Sequence, residues 1–185
     1  LALAVAVGPE LVVVGAAAIA AGWFYTGGSR PYGYAGFGEV FVFVFFGVVA
    51  TAGSAYVQTG HLAGLALGAS IPVGFLATAL LVVNNLRDIP GDTEVGKQTL
   101  AVRLGDRRTR ALYAVLVVGA FLAVPPVAGL GGRPAGAAAL VAIFLARTHV
   151  LGGARGKDLI PVLGATGRVQ LAFGLLLALG LAFIP

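Results

Sequence analysis

The polar residues between Asn84 and Gly105 are the ones in this chain whose types and spacing point to chemistry. Four of the seven acidic residues lie between Asp88 and Asp106, although the chain is otherwise apolar. Asn84, Asp88 and Asp92 are four residues apart, so a continuous helix would place them on one face, about 6 Å per step. Carboxylate and carboxamide oxygens suit Mg²⁺, which takes one or two carboxylates and leaves positions for substrate phosphates. Both aspartates are therefore candidate catalytic and metal-binding residues.

The dipeptide Pro90-Gly91 separates the two aspartates and favours an end to the helix near Ile89. On this interpretation Asp92 reaches the site from a loop, and both carboxylates converge with the amide of Asn84 at the rim of a hydrophobic bundle. The basic residues of the same stretch suit phosphate oxygens: Arg87, Lys97 and Arg103. Charged loops between membrane helices are often only solvated, so the spacing alone leaves a solvated loop as the alternative.

The composition indicates an integral membrane protein. Of the 185 residues, 59% are hydrophobic and 10% are charged, whereas soluble domains carry about 25% charged residues. No soluble protein of this size can bury so much apolar surface. The net charge of +5 is explained by the basic loops of membrane proteins, so nucleic acid is not an expected partner. The chain has no cysteine, which excludes disulfides and thiolate metal sites.

Six apolar segments predict helices that cross the membrane: residues 11–25, 39–58, 62–86, 113–130, 135–151 and 169–184. These spans must be α-helical, because only closed backbone hydrogen bonding is stable in lipid. Residues 1–7 are apolar but too short to cross a bilayer core of about 30 Å, so we expect the chain to begin inside a helix whose start is missing. The predicted fold is an all-α polytopic transmembrane helix bundle of six complete spans and one partial helix. It forms a single, N-terminally incomplete domain over residues 1–185.

Basic residues are distributed unevenly between the two sets of loops that alternating helices create. Eleven of the twelve Lys and Arg residues lie in segments 26–38, 87–110 and 147–168, and only Arg133 lies in the other set. Such an excess is typical of cytoplasmic loops. We therefore expect an integral protein of the cell (plasma) membrane with these three segments on the cytoplasmic face.

The polar stretch resembles a known family motif. Asn84-Asn85-Leu86-Arg87-Asp88 with Asp92, followed by Gly96-Lys97 and by Thr99-Leu100-x-Val102-Arg103-Leu104-Gly105, is similar to the second aspartate-rich motif of the UbiA-type membrane prenyltransferases. Residues 25–34 and 158–163 are similar to the menaquinone branch of that family, the 1,4-dihydroxy-2-naphthoate polyprenyltransferases. The resemblance covers essentially the whole chain, with the motifs in the family's order.

The resemblance implies a helix bundle in which two aspartate-rich motifs face each other across a central cavity. Asp88 and Asp92 would hold Mg²⁺ against the diphosphate of an allylic polyprenyl donor. The other polar residues would bind that diphosphate: Asn84, Asn85, Arg87, Lys97, Arg103, Arg30 and Tyr25. The implied reaction transfers the polyprenyl group to 1,4-dihydroxy-2-naphthoate with loss of CO₂ and forms demethylmenaquinone.

The first aspartate-rich motif of the family has no counterpart in this sequence. The resemblance therefore covers the later two thirds of the family's chain, and we expect these residues alone to form half a metal cage that lacks turnover. Three alternatives stay open. The first is the same prenyl transfer to another acceptor, namely 4-hydroxybenzoate, homogentisate or a tetrapyrrole. The second is a small membrane transporter. The third is a remnant that binds prenyl diphosphate without turnover.

Overall fold

The chain folds into helices and connecting turns throughout the part that the structure describes. The computed structural model describes residues 2–29, 31–130, 132–145, 150 and 152–183. The α-helical or partly α-helical elements are Ala2–Ala6, Glu10–Thr26, Gly38–Thr59, Gly64–Glu94, Leu100–Leu122, Val124–Leu130 and Ile160–Phe183. Short 3₁₀ segments cover Tyr32–Ala35, Pro134–Leu145 and Gly156–Leu159. No strand occurs in the described residues, which confirms the predicted all-α class.

Within the described residues, four helices are long and apolar enough to cross a membrane. They are Gly38–Thr59, Gly64–Glu94, Leu100–Gly129 and Gly156–Ala182. Of two shorter apolar helices, Glu10–Thr26 matches the predicted span 11–25, and Pro134–Ile143 overlaps the first part of the predicted span 135–151, some of which lies outside the described residues. We call Gly38–Thr59 the aromatic helix, Gly64–Glu94 the motif helix, Leu100–Leu122 the kinked helix and Ile160–Phe183 the C-terminal helix.

The motif helix continues past Pro90 and ends at Glu94. The expectation that it ends near Ile89 and delivers Asp92 from a loop is therefore wrong. Pro90 removes only the N–H donor that would reach the carbonyl oxygen of Leu86, and the later turns keep their own donors. The Thr93 hydroxyl also donates to the carbonyl oxygen of Ile89 at 2.7 Å. Asp92 consequently lies on the same helix as the other candidate aspartate, about one turn further along.

A glycine and a threonine define the short connection between the motif helix and the kinked helix. Gly96 has a φ of +73°, the left-handed conformation that commonly follows a helix end. The Thr99 side chain accepts a hydrogen bond from the N–H of Val102 at 3.4 Å and caps the kinked helix. Gly105 (φ +73°) supplies the kink. The predicted loop over 87–110 is therefore reduced to a few residues between two helices.

The C-terminal helix begins at Ile160, earlier than the predicted start of the last span at residue 169. The second half of segment 147–168, which we expected to be a loop, is thus helical. Val162, Ala165 and Val169 recur at helical spacing and are all buried. Burial of this stripe against the bundle extends the helix beyond the purely apolar segment.

The aromatic helix and the motif helix touch backbone to backbone near the middle of the bundle. A methyl group added to Gly47 would lie 2.5 Å from the Cα atom of Gly74. The segment Phe43–Val49 is π-helical, a wide turn that is often found at functional sites. The ring of Phe43 packs against that of Phe75 with 5.5 Å between centroids. The relative position of the two helices is therefore fixed by direct contact.

Two buried clusters of apolar side chains hold the helices together, and the motif helix contributes to both. The first lies behind the polar stretch and contains Ala79, Val82, Val83, Leu86, Tyr113, Val150, Leu159 and Val162. The second includes Leu76, Ala120, Phe121, Val124, Phe173 and Leu177. The motif helix is therefore the central element on which the site is built.

Candidate functional site

Asp88 lies one turn after Asn84 on the motif helix and is bound by two neighbouring side chains. Arg87 donates two hydrogen bonds to it, from Nε to Oδ1 and from Nη2 to Oδ2, each 2.7 Å long. Nδ2 of Asn84 donates to Oδ2 at 3.3 Å. The Arg87 and Asp88 side chains are 30% and 37% exposed. The pair is therefore accessible to a ligand at this end of the bundle.

Asp92 is the more buried of the two aspartates and is paired with Lys97, just beyond the helix end. The Lys97 ammonium lies 3.2 Å from Oδ1 of Asp92. In addition, the backbone N–H of Lys97 donates to the backbone carbonyl oxygen of Asp92 at 2.8 Å. The same ammonium lies 4.7 Å from the centroid of the Tyr34 ring, in a cation–π contact. Hydrogen bonding to Asp92 raises the pKa of Lys97 above its ordinary value. Lys97 is therefore held as a cation next to Asp92.

The loop that precedes the aromatic helix covers this polar end of the bundle. The backbone N–H of Gln98 donates to the carbonyl oxygen of Tyr34 at 2.9 Å, and Nε of Arg103 donates to the carbonyl oxygen of Gln98 at 3.0 Å. Gly36 has a φ of +83°, and a methyl group there would lie 3.2 Å from Nε of Arg103. Arg103 thus joins two loops. Arg30, the other basic residue predicted here, lies outside the described residues.

Tyr25 lies beside the same cluster, at the end of the helix Glu10–Thr26. Its ring meets that of Tyr32 edge to face, with 5.5 Å between centroids, and the Tyr32 hydroxyl donates to the carbonyl oxygen of Ala21 at 2.8 Å. A methyl group added to Gly38 would lie 3.6 Å from the Tyr25 hydroxyl oxygen, so this hydroxyl lies at the start of the aromatic helix, beside the residue that precedes Glu39. Tyr25 therefore lies near the first residues of the aromatic helix, and its role in binding the diphosphate stays a prediction.

Asn84 and Asn85 are adjacent in sequence but have different partners. Nδ2 of Asn85 donates to Oε1 of Glu39 at 3.0 Å, and both residues are buried. Asn85 therefore supports Glu39 and is not hydrogen-bonded to either aspartate. The sequence analysis missed Glu39. A lone carboxylate at the start of an apolar span would have identified it, because ionisable groups in membrane spans are mostly functional.

An apolar groove with a volume of about 400 Å³ begins at Asn84. The groove lies between the aromatic, motif and C-terminal helices, and its lining contains two amides among apolar side chains. These lining residues are Val42, Phe46, Ala77, Leu80, Leu81, Asn84, Leu163 and Gln170. Because Asn84 also donates to Asp88, the groove and the charged cluster meet at this amide.

The donor atoms of Asp88 and Asp92 suit Mg²⁺, but each carboxylate is paired with a basic group. In the described ranges, no three His, Cys, Asp or Glu side chains are grouped so that they could hold a metal ion. Mg²⁺ commonly binds one or two carboxylates and completes its coordination with substrate phosphates and water. The two aspartates therefore fit a metal ion that is shared with a phosphorylated ligand.

Comparison with known proteins decides the family. The model of the family described as the UbiA prenyltransferase family matches residues 1–160. The chain belongs to this family. The resemblance inferred from the motif around Asp88 is therefore confirmed, and with it the expectation of a membrane helix bundle. No solved structure matches the chain at a significant level.

Several curated UbiA relatives carry the same name, 1,4-dihydroxy-2-naphthoate octaprenyltransferase. The protein of Mycobacterium tuberculosis (strain ATCC 25618 / H37Rv) is 46% identical over 99% of this chain and 63% of its own length. That of Mycobacterium leprae (strain TN) is 45% identical over 96% of the chain and 61% of its own length. The Bacillus subtilis (strain 168) protein is 31% identical over 92% of the chain and 56% of its own length. The chain thus spans less than two thirds of the length of these relatives.

Proposed function

We propose that the chain is the donor-binding part of a membrane enzyme that transfers a polyprenyl group to 1,4-dihydroxy-2-naphthoate. The observation that carries the proposal is the junction at Asn84 between an apolar groove and a cluster of paired acidic and basic groups. A polyprenyl diphosphate has the same two parts, an apolar tail and a highly charged head. The names of the mycobacterial relatives support the naphthoate as the acceptor. The acceptor would lose CO₂ and yield demethylmenaquinone.

The groove would hold the first isoprene units of the donor. Phe46, Leu80 and Leu81 offer apolar side chains along its wall. An apolar lining excludes water, which would otherwise capture the allylic cation that forms when the diphosphate leaves. The ring carbon of the acceptor can then take that cation, and no covalent bond to the protein is needed.

Asp88 and Asp92 would hold Mg²⁺, which when bound supplies positive charge to the oxygens of the leaving diphosphate. Arg87 and Lys97 now neutralise these aspartates at 2.7 and 3.2 Å. When a diphosphate binds, the same two basic groups would donate to its oxygens instead. Positively charged donors aimed at a group that gains negative charge lower the barrier to its departure. Asn84 keeps the head at the mouth of the groove.

We also propose an orientation and a context for the chain. The excess of basic residues in the segments near the site favours a plasma-membrane protein with its polar end toward the cytoplasm. There, Asp88 and Asp92 could meet a phosphorylated substrate made in the cytoplasm. We propose that the chain acts within a longer protein that supplies the family's first aspartate-rich motif.

The test is a transfer assay on the complete protein in membranes, with polyprenyl diphosphate and 1,4-dihydroxy-2-naphthoate as substrates. We expect Asp88→Asn and Asp92→Asn each to lower kcat by about 10² to 10³, because each removes charge that stabilises the departing diphosphate. Removal of divalent cations with EDTA should abolish transfer, and added Mg²⁺ should restore it. Parallel assays with 4-hydroxybenzoate and homogentisate measure acceptor choice.

Glu94→Gln is the matched control, because Glu94 is an exposed acid in the last turn of the same helix. It should retain the parent rate. The proposal is refuted if Asp88→Asn and Asp92→Asn both stay within a few-fold of the parent enzyme. The proposed identity of the acceptor is refuted if another aromatic compound is prenylated faster than the naphthoate.

A further inference from the structure

Glu39 is a buried acid that its protein neighbours satisfy on one side only. Oε1 accepts a hydrogen bond from Nδ2 of Asn85 at 3.0 Å. Oε2 has no hydrogen-bond partner, and no other buried side-chain oxygen or nitrogen in the described part of the chain shares this condition. The residue is 7% exposed. A buried carboxylate oxygen without a partner is costly, so it requires an explanation such as a ligand that completes its hydrogen bonding.

The position of Glu39 relates it to the groove and to the charged cluster. Val42, which lines the groove, lies one turn after Glu39 on the same face of the aromatic helix. Asn85, the partner of Glu39, follows Asn84, where the groove meets the aspartates. The hydroxyl oxygen of Tyr25 lies beside Gly38, the residue before Glu39. Glu39 therefore lies one helical turn from a groove-lining residue and is hydrogen-bonded to the residue that follows Asn84.

The chemistry of a carboxylate limits what the missing partner can be. In the ionised form of Glu39 both oxygens only accept hydrogen bonds, so the partner of Oε2 must then be a donor or a cation. The diphosphate of the donor substrate is an anion and would be repelled. The remaining substrate of the proposed reaction is an aromatic ring with hydroxyl groups, which are hydrogen-bond donors.

We infer that Glu39 binds the hydroxylated aromatic acceptor by accepting a hydrogen bond from one ring hydroxyl at Oε2. The inference rests on the proposed function and names the residue that selects the acceptor. Oε1 remains on Asn85, so one carboxylate connects the acceptor to the helix that carries the donor-binding aspartates. Glu39 thereby orients the ring at the polar end of the groove, where the reacting end of the donor binds.

The primary test is Glu39→Gln in the complete enzyme, reconstituted in lipid nanodiscs. Glutamine keeps an oxygen for Asn85 and replaces the other carboxylate oxygen with an NH₂ group of similar size. We expect the KM for 1,4-dihydroxy-2-naphthoate to rise about 10- to 100-fold, as for the loss of a hydrogen bond to a charged group. The KM for the polyprenyl diphosphate should change by less than about twofold, because donor contacts are retained.

A second measurement uses acceptor analogues as competitive inhibitors. The two mono-methyl ethers of 1,4-dihydroxy-2-naphthoate each lack one hydroxyl donor. The parent enzyme should bind one of them about tenfold more weakly than the other, because a site built around a hydroxyl rejects an analogue without it. Glu39→Gln should remove this discrimination. A residue that only supports the fold would leave the ratio of the two inhibition constants unchanged.

Glu10→Gln is the matched control, because Glu10 is another glutamate that begins a helix and has a single side-chain partner, the hydroxyl of Tyr56. It should leave both KM values unchanged. If Glu39→Gln does not fold, Glu39→Asp is the second variant, because it keeps the carboxylate on a side chain that is one methylene shorter. Its KM for the acceptor should rise at least about threefold.

The outcomes separate this inference from the proposed function. A parent enzyme that prenylates no hydroxylated aromatic acceptor overturns the proposed function. If the parent enzyme does prenylate such an acceptor but the acceptor KM of Glu39→Gln is unchanged, only the role of Glu39 is overturned. The same holds for an unchanged acceptor KM in Glu39→Asp if Glu39→Gln does not fold. A rise in the donor KM without a rise in the acceptor KM also overturns that role.

Discussion

Two arginine–aspartate pairs lie at the same end of the bundle and differ in how completely the arginine is used. Arg110 donates to both oxygens of Asp106 at 2.8 Å, and also to the backbone carbonyl oxygens of Val150 and Ala154. Its side chain is 8% exposed. Within the described ranges Arg87 donates only to its sequence neighbour Asp88, and its side chain is 30% exposed.

The difference indicates what each pair is for. A guanidinium group has five N–H donors in a fixed fork. The donors of Arg110 are committed to the protein, so this residue joins the kinked helix to the segment that precedes the C-terminal helix. Those of Arg87 are only partly committed and face an accessible surface. Arg87 can therefore transfer its hydrogen bonds to a phosphate without loss of structure, whereas Arg110 cannot.

The largest effect on stability should follow from Arg110→Met. The change removes a buried cation and leaves the carbonyl oxygens of Val150 and Ala154 without their donor. We expect the free energy of unfolding to fall by roughly 2–4 kcal/mol. This is less than the usual cost of breaking a buried ion pair, because Asp106 is half-exposed. Thermal unfolding of the purified protein in detergent measures this. The KM values of the Arg110→Met protein that remains folded should not change. If Arg110→Met instead raised the KM for the donor and kept normal stability, the roles assigned to the two pairs would be reversed.

Arg87→Gln should weaken substrate binding and leave stability nearly unchanged, the opposite of Arg110→Met. Its effect on the free energy of binding should be smaller than the effect of Arg110→Met on the free energy of unfolding. Loss of one charged donor to the diphosphate should raise the KM for the polyprenyl diphosphate roughly tenfold. The free energy of unfolding should change by less than about 1 kcal/mol, because the pair with Asp88 is partly exposed. Arg108→Gln removes an exposed arginine of the same polar segment and is the control. An equal effect of both substitutions would show that only net charge matters.

The fold was largely predictable, because hydropathy alone identifies apolar spans in a chain with 59% hydrophobic residues. Helix ends were less predictable because they depend on tertiary contacts. The turn after Pro90 persists where Thr93 supports it and Asp92 is buried against Lys97. The C-terminal helix starts early because Val162 and other residues of its first turns pack into the core.

The site was predictable where its residues are close in sequence. The four-residue spacing grouped Asn84, Asp88 and Asp92, although the sequence favoured a loop for Asp92 and the structure places all three residues on one helix. Glu39 was missed because its contact with Asn85 joins residues that are 46 positions apart. No local pattern encodes such a contact. It follows from the packing of the aromatic helix against the motif helix.

The smallest predicted effect concerns Lys97 and extends the comparison to pH. Hydrogen bonding to Asp92 raises the pKa of Lys97 in the folded protein, so the pair stabilises the fold while Lys97 is protonated. This contribution is fully present below the unfolded lysine pKa of about 10.4 and is lost as pH rises through the folded-state pKa. Because the pair is partly exposed, it amounts to less than about 1 kcal/mol.

The measurement compares the unfolding midpoints of the parent and of Lys97→Met as the pH is raised from neutral through the titration of lysine. The difference between them should shrink to zero at high pH. The deficit of Arg110→Met should persist over the same range, because a guanidinium group stays charged where an ammonium group does not. A Lys97→Met deficit that does not depend on pH would mean that the lysine stem, and not its charge, contributes the stability. Lys97 would then be a packing residue, and of the two basic groups paired with the aspartates only Arg87 would remain available to the diphosphate.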